Sequence, residues 1–340
     1  MIYQDIEFHN VDRLERVAEM PGLKLCRFPE QFSRQLGTAV NRNGRFRAER
    51  PHGCEIRFVT GALFFDLALT AAEHDIEVMI YCGDYLHRKE TLKAGQCTVL
   101  HVEASPVLAL VETEQLPGRR FDFKVWRIQF GLNGYVWFHY LNTFGDRCRP
   151  PKASEKPDTV WLAYGSSITC GSAASVYSNA YVNQAAELLG YDVLNKGLSG
   201  SCYCEGFAAD YLAGAECDIL TLELGVNMAP TFEEAEMEDR MAYLMKQLYC
   251  SPAKEIYILD IFPNKGLIYK DRESAYYRHY RSFKEIVGRL AATGSDARVR
   301  LVRGEEVLTG LHYLSTDLLH PSDQGHIEMG RNLAAAMGKS

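Results

Sequence analysis

The hydrophobic pattern changes its period near residue 150, and that change limits the folds open to this chain more than any other feature. From about residue 20 to about 145, short β-rich runs follow one another: CEIRFVT, FFDLALTA, DIEVMIYCG, QCTVLHVE, FDFKVWRIQF and YVWFHYL. The connections between them are short and no long helical stripe interrupts them before Asn142, so hairpins rather than parallel crossovers are expected. This pattern predicts an antiparallel β-sandwich, jelly-roll-like, over residues 1–150. The stretch RCRPPKASEKPD, residues 147–158, has no apolar periodicity and reads as a surface linker. Beyond it the strands TVWLAYG, DVLNKG, DILTLELG, EIYILDIF and VRLVRG alternate with helix-length segments. That alternation predicts a three-layer α/β/α domain over residues 151–340, with five parallel strands in a doubly wound sheet, the order of which the alternation leaves open.

A chain of 340 residues is long enough for two cores, which agrees with the change of period. With 47% apolar and 24% charged residues the composition is that of a globular protein, which excludes a disordered or fibrous class. The net charge of −7, without a long basic run, gives no electrostatic reason to bind nucleic acid or a membrane surface. The first residues, MIYQDIEFHNVDRLERV, do not read as a secretory signal, and no segment has membrane-spanning length. The ten cysteines lie mostly in apolar runs and are expected to be free thiols in a cytoplasmic protein. Cys202 and Cys204 form C-x-C, but no second pair or nearby histidine completes a tetrahedral metal set.

In open α/β sheets, ligands bind beyond the carboxyl ends of the strands. Four such places carry unusual chemistry here. After the first strand comes Gly165-Ser166-Ser167-Ile168-Thr169, where glycine permits a tight turn and a serine can sit at a helix start. After the second comes Asn195-Lys196-Gly197-Leu198-Ser199-Gly200, whose glycines let backbone N–H groups approach a ligand. After the third comes Gly225-Val226-Asn227, a neutral amide donor placed to meet an oxyanion. After the fifth comes Asp317-Leu318-Leu319-His320-Pro321, in which a three-residue spacing lets the carboxylate hold one ring nitrogen while the other faces the serine.

These four segments, in this order over roughly residues 159–337, resemble the blocks of the SGNH hydrolases, also called GDSL esterases, a resemblance that implies a flavodoxin-like three-layer α/β/α fold. The resemblance implies that Ser167 is the nucleophile, His320 the general base and acid, and Asp317 the group that orients the imidazole. It further implies an oxyanion hole built from the Ser167 and Gly200 amides and the Asn227 side chain. Two positions depart from the family pattern: Ser166 stands where aspartate usually precedes the nucleophile, and Met228 where aspartate usually follows the asparagine. A serine hydroxyl can also bond backbone N–H groups, so Ser166 can serve the loop. The variant Gly-Ser-Ser-Ile-Thr is similar to a subgroup in which a β-sandwich precedes the hydrolase, many of them carbohydrate deacetylases.

The resemblance implies a carboxylic ester hydrolase acting on short acyl, above all acetyl, esters of oligosaccharides such as xylo-oligosaccharides. It needs no cofactor and no metal, and its partner is a small acylated sugar; a homo-oligomer stays open. A lipase or thioesterase, or an idle carbohydrate-binding protein, is the rival. Plainer roles also exist: Ser167 as a mere helix N-cap, Gly200 as a turn, and Asn227 as the close of a turn before Pro230. His326 competes with His320 but falls in the first turn of a helix capped by Ser322 or Asp323. Trp126, Trp137, Tyr135 and His139 are expected to pack the first domain rather than stack on sugar. Tyr276, Tyr277, His279 and Tyr280 lie on a predicted helix and receive no function.

Overall fold

The computed structural model of the chain describes residues 1–18, 20–112, 115–116, 120–294 and 296–338. The chain forms two compact units. One comprises Met1–Pro29, Ala48–Asp158 and Gly190–Leu194; the other comprises Glu30–Arg47, Thr159–Leu189 and Asn195–Ser340. The main division falls between Asp158 and Thr159, where a boundary at residue 150 was expected, and two segments cross over: Gly190–Leu194 belongs to the first unit and Glu30–Arg47 to the second.

The first unit holds strands β1 (Ile2–Tyr3), β2 (Ile6–His9), β3 (Arg13–Val17), β4 (Met20–Cys26), β5 (Glu55–Thr60) and β6 (Phe64–Ala72). It continues with β7 (Ile76–Cys82), β8 (Tyr85–Leu92), β9 (Cys97–Glu103), β10 (Val125–Phe130), β11 (Tyr135–Asn142) and β12 (Cys148–Arg149). One sheet runs β1-β2-β5-β10-β7-β8 with β12 beside β5, and the other runs β3-β4-β11-β6-β9. Neighbours are antiparallel in both sheets. Alternate residues such as Phe65, Leu67 and Leu69 of β6 and Ile56 and Phe58 of β5 point into one shared core. Ring contacts cross between the sheets, Phe58 on Phe65 at 5.0 Å and Phe8 on Phe138 at 5.1 Å. The expected sandwich is what the chain forms.

Six strands escape the sequence pattern: β1 to β4, β8, and β12, which falls in the stretch read as a linker. β1 to β4 precede the first of the runs and are short or interrupted by charges, proline or glycine. β8, YLHRKETL, is a sheet edge whose residues are mostly exposed or half-exposed, so its side chains are polar where the pattern looks for alternation.

The second unit is a parallel sheet with strands β13 (Val160–Gly165), β14 (Asp192–Gly197), β15 (Ile219–Glu223), β16 (Glu255–Leu259) and β17 (Val299–Val302). Their order is β14-β13-β15-β16-β17, the 2-1-3-4-5 order of a flavodoxin-like fold. Its helices are α1 (Glu30–Gln35), α2 (Gly44–Ala48), α3 (Ser167–Cys170), α4 (Tyr181–Leu189), α5 (Gly206–Gly214), α6 (Glu234–Leu248), α7 (Ala275–Thr293), α8 (Gly304–Val307) and α9 (Asp323–Met337). α4 packs on α9, while α5, α6 and α7 pack in series, as expected for layers on the two faces of the sheet. β13 and β15 are buried along almost their whole length, which is why they read as continuous apolar runs. The ten cysteines are free thiols. Among the described residues no helix is long and apolar enough to cross a membrane.

Candidate active site

The site grows from the end of β13, the strand between β14 and β15. Gly165 ends it, and a side chain there would run into Thr169 and the Glu223 carboxylate, so only glycine fits. Ser166 is the N-cap of α3, its hydroxyl accepting from the Ile168 N–H at 3.1 Å. The capping role thus falls to Ser166, which performs the loop function expected of it in place of aspartate. The Ser167 hydroxyl is left for another partner. It lies 2.8 Å from His320 Nε2, with Ser167 only 6% exposed.

His320 stands on the loop before α9. Its Nδ1 donates to Asp317 Oδ2 at 2.6 Å. An ionised carboxylate only accepts, so the ring proton sits on Nδ1 and Nε2 accepts from the Ser167 hydroxyl. Asp317 Oδ1 accepts from the Ser315 hydroxyl at 2.8 Å and from the N–H groups of Leu319 and His320 at 2.9 Å each. Partial burial opposes the charge, but the bonds from the His320 ring, these two amides and Ser315 outweigh it and hold the carboxyl well below its usual range. Leu318, at φ +54°, makes the turn that folds Asp317 back on His320. Its carbonyl accepts from the Lys265 N–H at 2.8 Å, which ties this loop to the segment after β16.

Three donors come from three neighbouring strands. The Ser167 N–H follows β13, Gly200 follows β14 and Asn227 follows β15. The amides of Ser167 and Gly200 have no hydrogen-bond partner among the described residues. Gly200 takes φ +64°, a backbone that glycine adopts without strain. Asn227 Oδ1 accepts from the Cys202 N–H at 3.2 Å, so its carboxamide orientation is set and Nδ2 is the end left to donate. Such a set of donors beside a hydroxyl–imidazole–carboxylate chain can stabilise an oxyanion formed at the serine. Met228 is fully buried, so the position where the family usually has aspartate carries an apolar contact here.

Beside these groups lies an open cleft of about 460 Å³. Gly200, Asn227 and Leu319, the neighbour of His320 in sequence, line it together with Tyr203, Tyr269, Tyr276 and Lys265. Tyr276 thus gains a place in the site. Its helix neighbours His279 and Tyr280 are buried, His279 Nδ1 bonding the Ala229 carbonyl at 2.8 Å.

Two supports are invisible to motif reading. Glu223, the last residue of β15, is 1% exposed and lies beneath the nucleophile turn. Its Oε2 accepts from the Ser166 N–H at 2.6 Å and from the Thr169 hydroxyl at 3.2 Å, while Oε1 has no partner. Burial pushes this carboxyl up to about 7 despite those bonds. The second support is Asn41, from the segment that crosses over. Buried at 3% exposure, its Nδ2 donates to the Ser201 carbonyl at 3.2 Å and to Glu205 Oε1 at 2.6 Å, next to the Gly200 turn. Phe32 of α1 packs edge-on against Phe207 and Tyr211 of α5 and anchors the same segment.

His326 plays a different part from His320. Fully buried in α9, its Nε2 donates to the Ser172 carbonyl at 3.0 Å and its Nδ1 accepts from the Tyr181 N–H at 3.4 Å. Burial drives its pKa down to about 4 and keeps it neutral. Ser322 caps α9, and Asp323 holds the Ser175 N–H and the Asn179 amide. Trp126 and Trp137 are each 6% exposed, Tyr135 is 9% exposed, and the His139 Nε2 is bonded to the Thr70 hydroxyl at 2.7 Å, so this aromatic group packs the sandwich. Cys202 and Cys204 are buried, and no group of three metal-ligating side chains occurs among the described residues.

The fold and these strand ends define an SGNH-type hydrolase. Residues 159–336 match the GDSL-like Lipase/Acylhydrolase family, and the chain belongs to that family as a carboxylic ester hydrolase. No curated protein matches the sequence. Among solved structures it is similar to the salicylyl-acyltransferase SsfX3 from a tetracycline biosynthetic pathway, at TM-score 0.79 and 16% identity, covering 99% of this chain and 96% of that one. It is similar to a family two carbohydrate esterase from Clostridium thermocellum in complex with cellohexaose, at TM-score 0.61 and 13% identity over 98% of both chains. An acetyl xylan esterase, Est2A, from the rumen bacterium Butyrivibrio proteoclasticus gives TM-score 0.57 and 12% identity over 99% of this chain and 95% of that one. At these identities the likeness is one of fold, and it extends over both units.

Proposed function

We propose that the protein is a serine esterase that removes short acyl groups, above all acetyl, from oligosaccharides such as xylo-oligosaccharides. In this reading Ser167 Oγ attacks the ester carbonyl while His320 Nε2 takes its proton, and Asp317 stabilises the imidazolium that forms. The Ser167 and Gly200 amides and Asn227 Nδ2 receive the oxyanion. His320 then returns the proton to the departing sugar hydroxyl, leaving an acyl-serine, and a water activated by the same imidazole releases the acid. No cofactor enters either half-reaction. The observation that carries the reading is the chain Ser167 to His320 to Asp317, at 2.8 and 2.6 Å. The carbohydrate side rests on the fold shared with sugar esterases. A cytoplasmic setting goes with the free thiols.

Acetate release from acetylated xylo-oligosaccharides and hydrolysis of p-nitrophenyl acetate test the activity, and a fluorophosphonate probe tests the nucleophile. Wild type is expected to hydrolyse both esters and take up the probe, and Ser167→Ala to do neither. Labelling that survives Ser167→Ala would remove Ser167 from the mechanism; an unlabelled wild type would favour an idle carbohydrate-binding protein. A second reading, transfer of the acyl group to an alcohol other than water, draws on the likeness to the salicylyl-acyltransferase. It predicts an acylated acceptor rather than free acid as the main product.

A further inference from the structure

The cleft beside the serine carries an electrostatic feature that ester hydrolysis alone does not require. Lys265 is the charged residue in its lining, and no carboxylate lines it. The side chain is half-buried and has neither an ion pair nor a hydrogen bond among the described residues. Elsewhere in this acidic chain lysines find carboxylates: Lys89 with Glu77, Lys93 with Asp75 and Lys254 with Asp218 at 2.7 Å each, and Lys284 with both Asp260 and Glu305. An ammonium left unpaired where it is half-buried attracts an anion more strongly than one in open water, and it does so as a point charge with three donors.

Its backbone is fixed with respect to the reacting groups. Lys265 begins a turn capped by Asn264, whose Oδ1 accepts from the Gly266 N–H at 2.8 Å, and its own N–H holds the Leu318 carbonyl between Asp317 and His320. The aromatic walls are braced as well. The Tyr276 hydroxyl donates to Asn264 Oδ1 at 3.1 Å, and its ring lies 5.6 Å from that of Tyr269, so Tyr276 offers the cleft a ring rather than a free phenol. Tyr203, which also lines the cleft, is held edge-on by Phe232 at 5.2 Å, and its carbonyl accepts from Arg240 at 2.8 Å. Aromatic walls and one cation suit a ring with apolar faces that carries one negative charge.

We propose that the ester accepted by this site carries a carboxylate, that its sugar is an acidic one of the uronate class, and that Lys265 is the specificity residue that receives the charge. The inference rests on the deacetylase reading above and narrows its substrate.

The test compares two substrates that differ in one charge: an acetylated galacturono-oligosaccharide and the same compound with its carboxyls methyl-esterified. Wild type is expected to turn over the acidic form with about tenfold higher kcat/KM, mainly through KM, and the preference is expected to shrink in 0.5 M salt. Lys265→Met should bring the two substrates together, and Lys265→Arg should keep most of the preference. Equal turnover of both forms by wild type would overturn the proposal and leave the deacetylase reading standing. A parallel loss of both substrates in Lys265→Met would also overturn it, by showing a structural role. If neither compound nor an acetylated xylo-oligosaccharide released acetate while p-nitrophenyl acetate was hydrolysed, the deacetylase reading would fall and this proposal with it.

Discussion

Glu223→Gln should stabilise the protein in alkaline but not in acidic solution, and the size of the effect follows from the site. The carboxyl is fully buried, accepts two hydrogen bonds on Oε2 and leaves Oε1 bare, so its charge has no cation to compensate it. Its pKa rises from 4.5 to about 7 on folding. Below 4.5 the group is neutral in both states and costs nothing. As pH rises through 7 the folded protein must ionise it, and the stability held by the neutral form is lost. Each tenfold change in proton affinity is worth about 1.4 kcal/mol, so the loss is about 3 kcal/mol at pH 8.5 and about 1 kcal/mol at pH 5. Glutamine reproduces the protonated acid: its oxygen can take both bonds and its NH2 group occupies the bare position. Melting curves of wild type and Glu223→Gln at the two pH values should therefore coincide to within a few degrees at pH 5. At pH 8.5 they should separate by roughly 6–12 °C, with the variant melting higher. Glu223→Leu, which removes the acceptor for the Ser166 N–H, should melt lower than Glu223→Gln at both. A gap between wild type and Glu223→Gln that did not change with pH would refute the argument, because only the ionisation of Glu223 links the two measurements.

Three further outcomes follow from the geometry. Asn227→Ala removes one oxyanion donor and should cut kcat by about 10²- to 10³-fold with little change in the melting curve. Asp317→Asn should lower turnover by about 10⁴-fold, since an amide can donate to Nδ1 and select the wrong tautomer of His320; near-normal kcat in this variant would count against the orientation argument. His320→Ala should abolish turnover with stability nearly kept, whereas His326→Ala should lower stability and leave fluorophosphonate labelling of the folded fraction. His326, whose pKa falls from 6.5 to about 4, contributes stability that is fully present above 6.5 and lost as pH falls through 4, so the stability gap between wild type and His326→Ala should narrow in that window.

The strands and the site were legible to different degrees for one reason, the distance along the chain over which each signal acts. Periods of two and of three to four residues are local, and they expose β5 to β7 and the doubly wound sheet directly. The polar edge β8 and the short β2 have no such period, and tertiary pairing decides them. Ser167 has an ordinary Gly-Ser-Ser surrounding, and its own segment does not distinguish a nucleophile from a cap. The order of the strands does, because β14, β13 and β15 are neighbours and their ends lie together. Segment 30–47 was unreadable in this way: Asn41 meets Ser201 across 160 residues, and nothing near either residue announces the contact.

Glu223 was not beyond reach. In DILTLELG, Thr221 and Glu223 alternate with leucines on one face of a strand whose neighbours are apolar on both faces. A parallel strand in the middle of a sheet has no wet face, so two polar side chains two residues apart must each find a partner inside. Thr221 finds the Trp161 indole N–H at 3.0 Å. Glu223, two residues nearer the carboxyl end, reaches the Ser166 N–H at the start of the nucleophile turn. A buried carboxylate at the carboxyl end of a central strand therefore points, by the need to satisfy it, to the loop that carries Ser167.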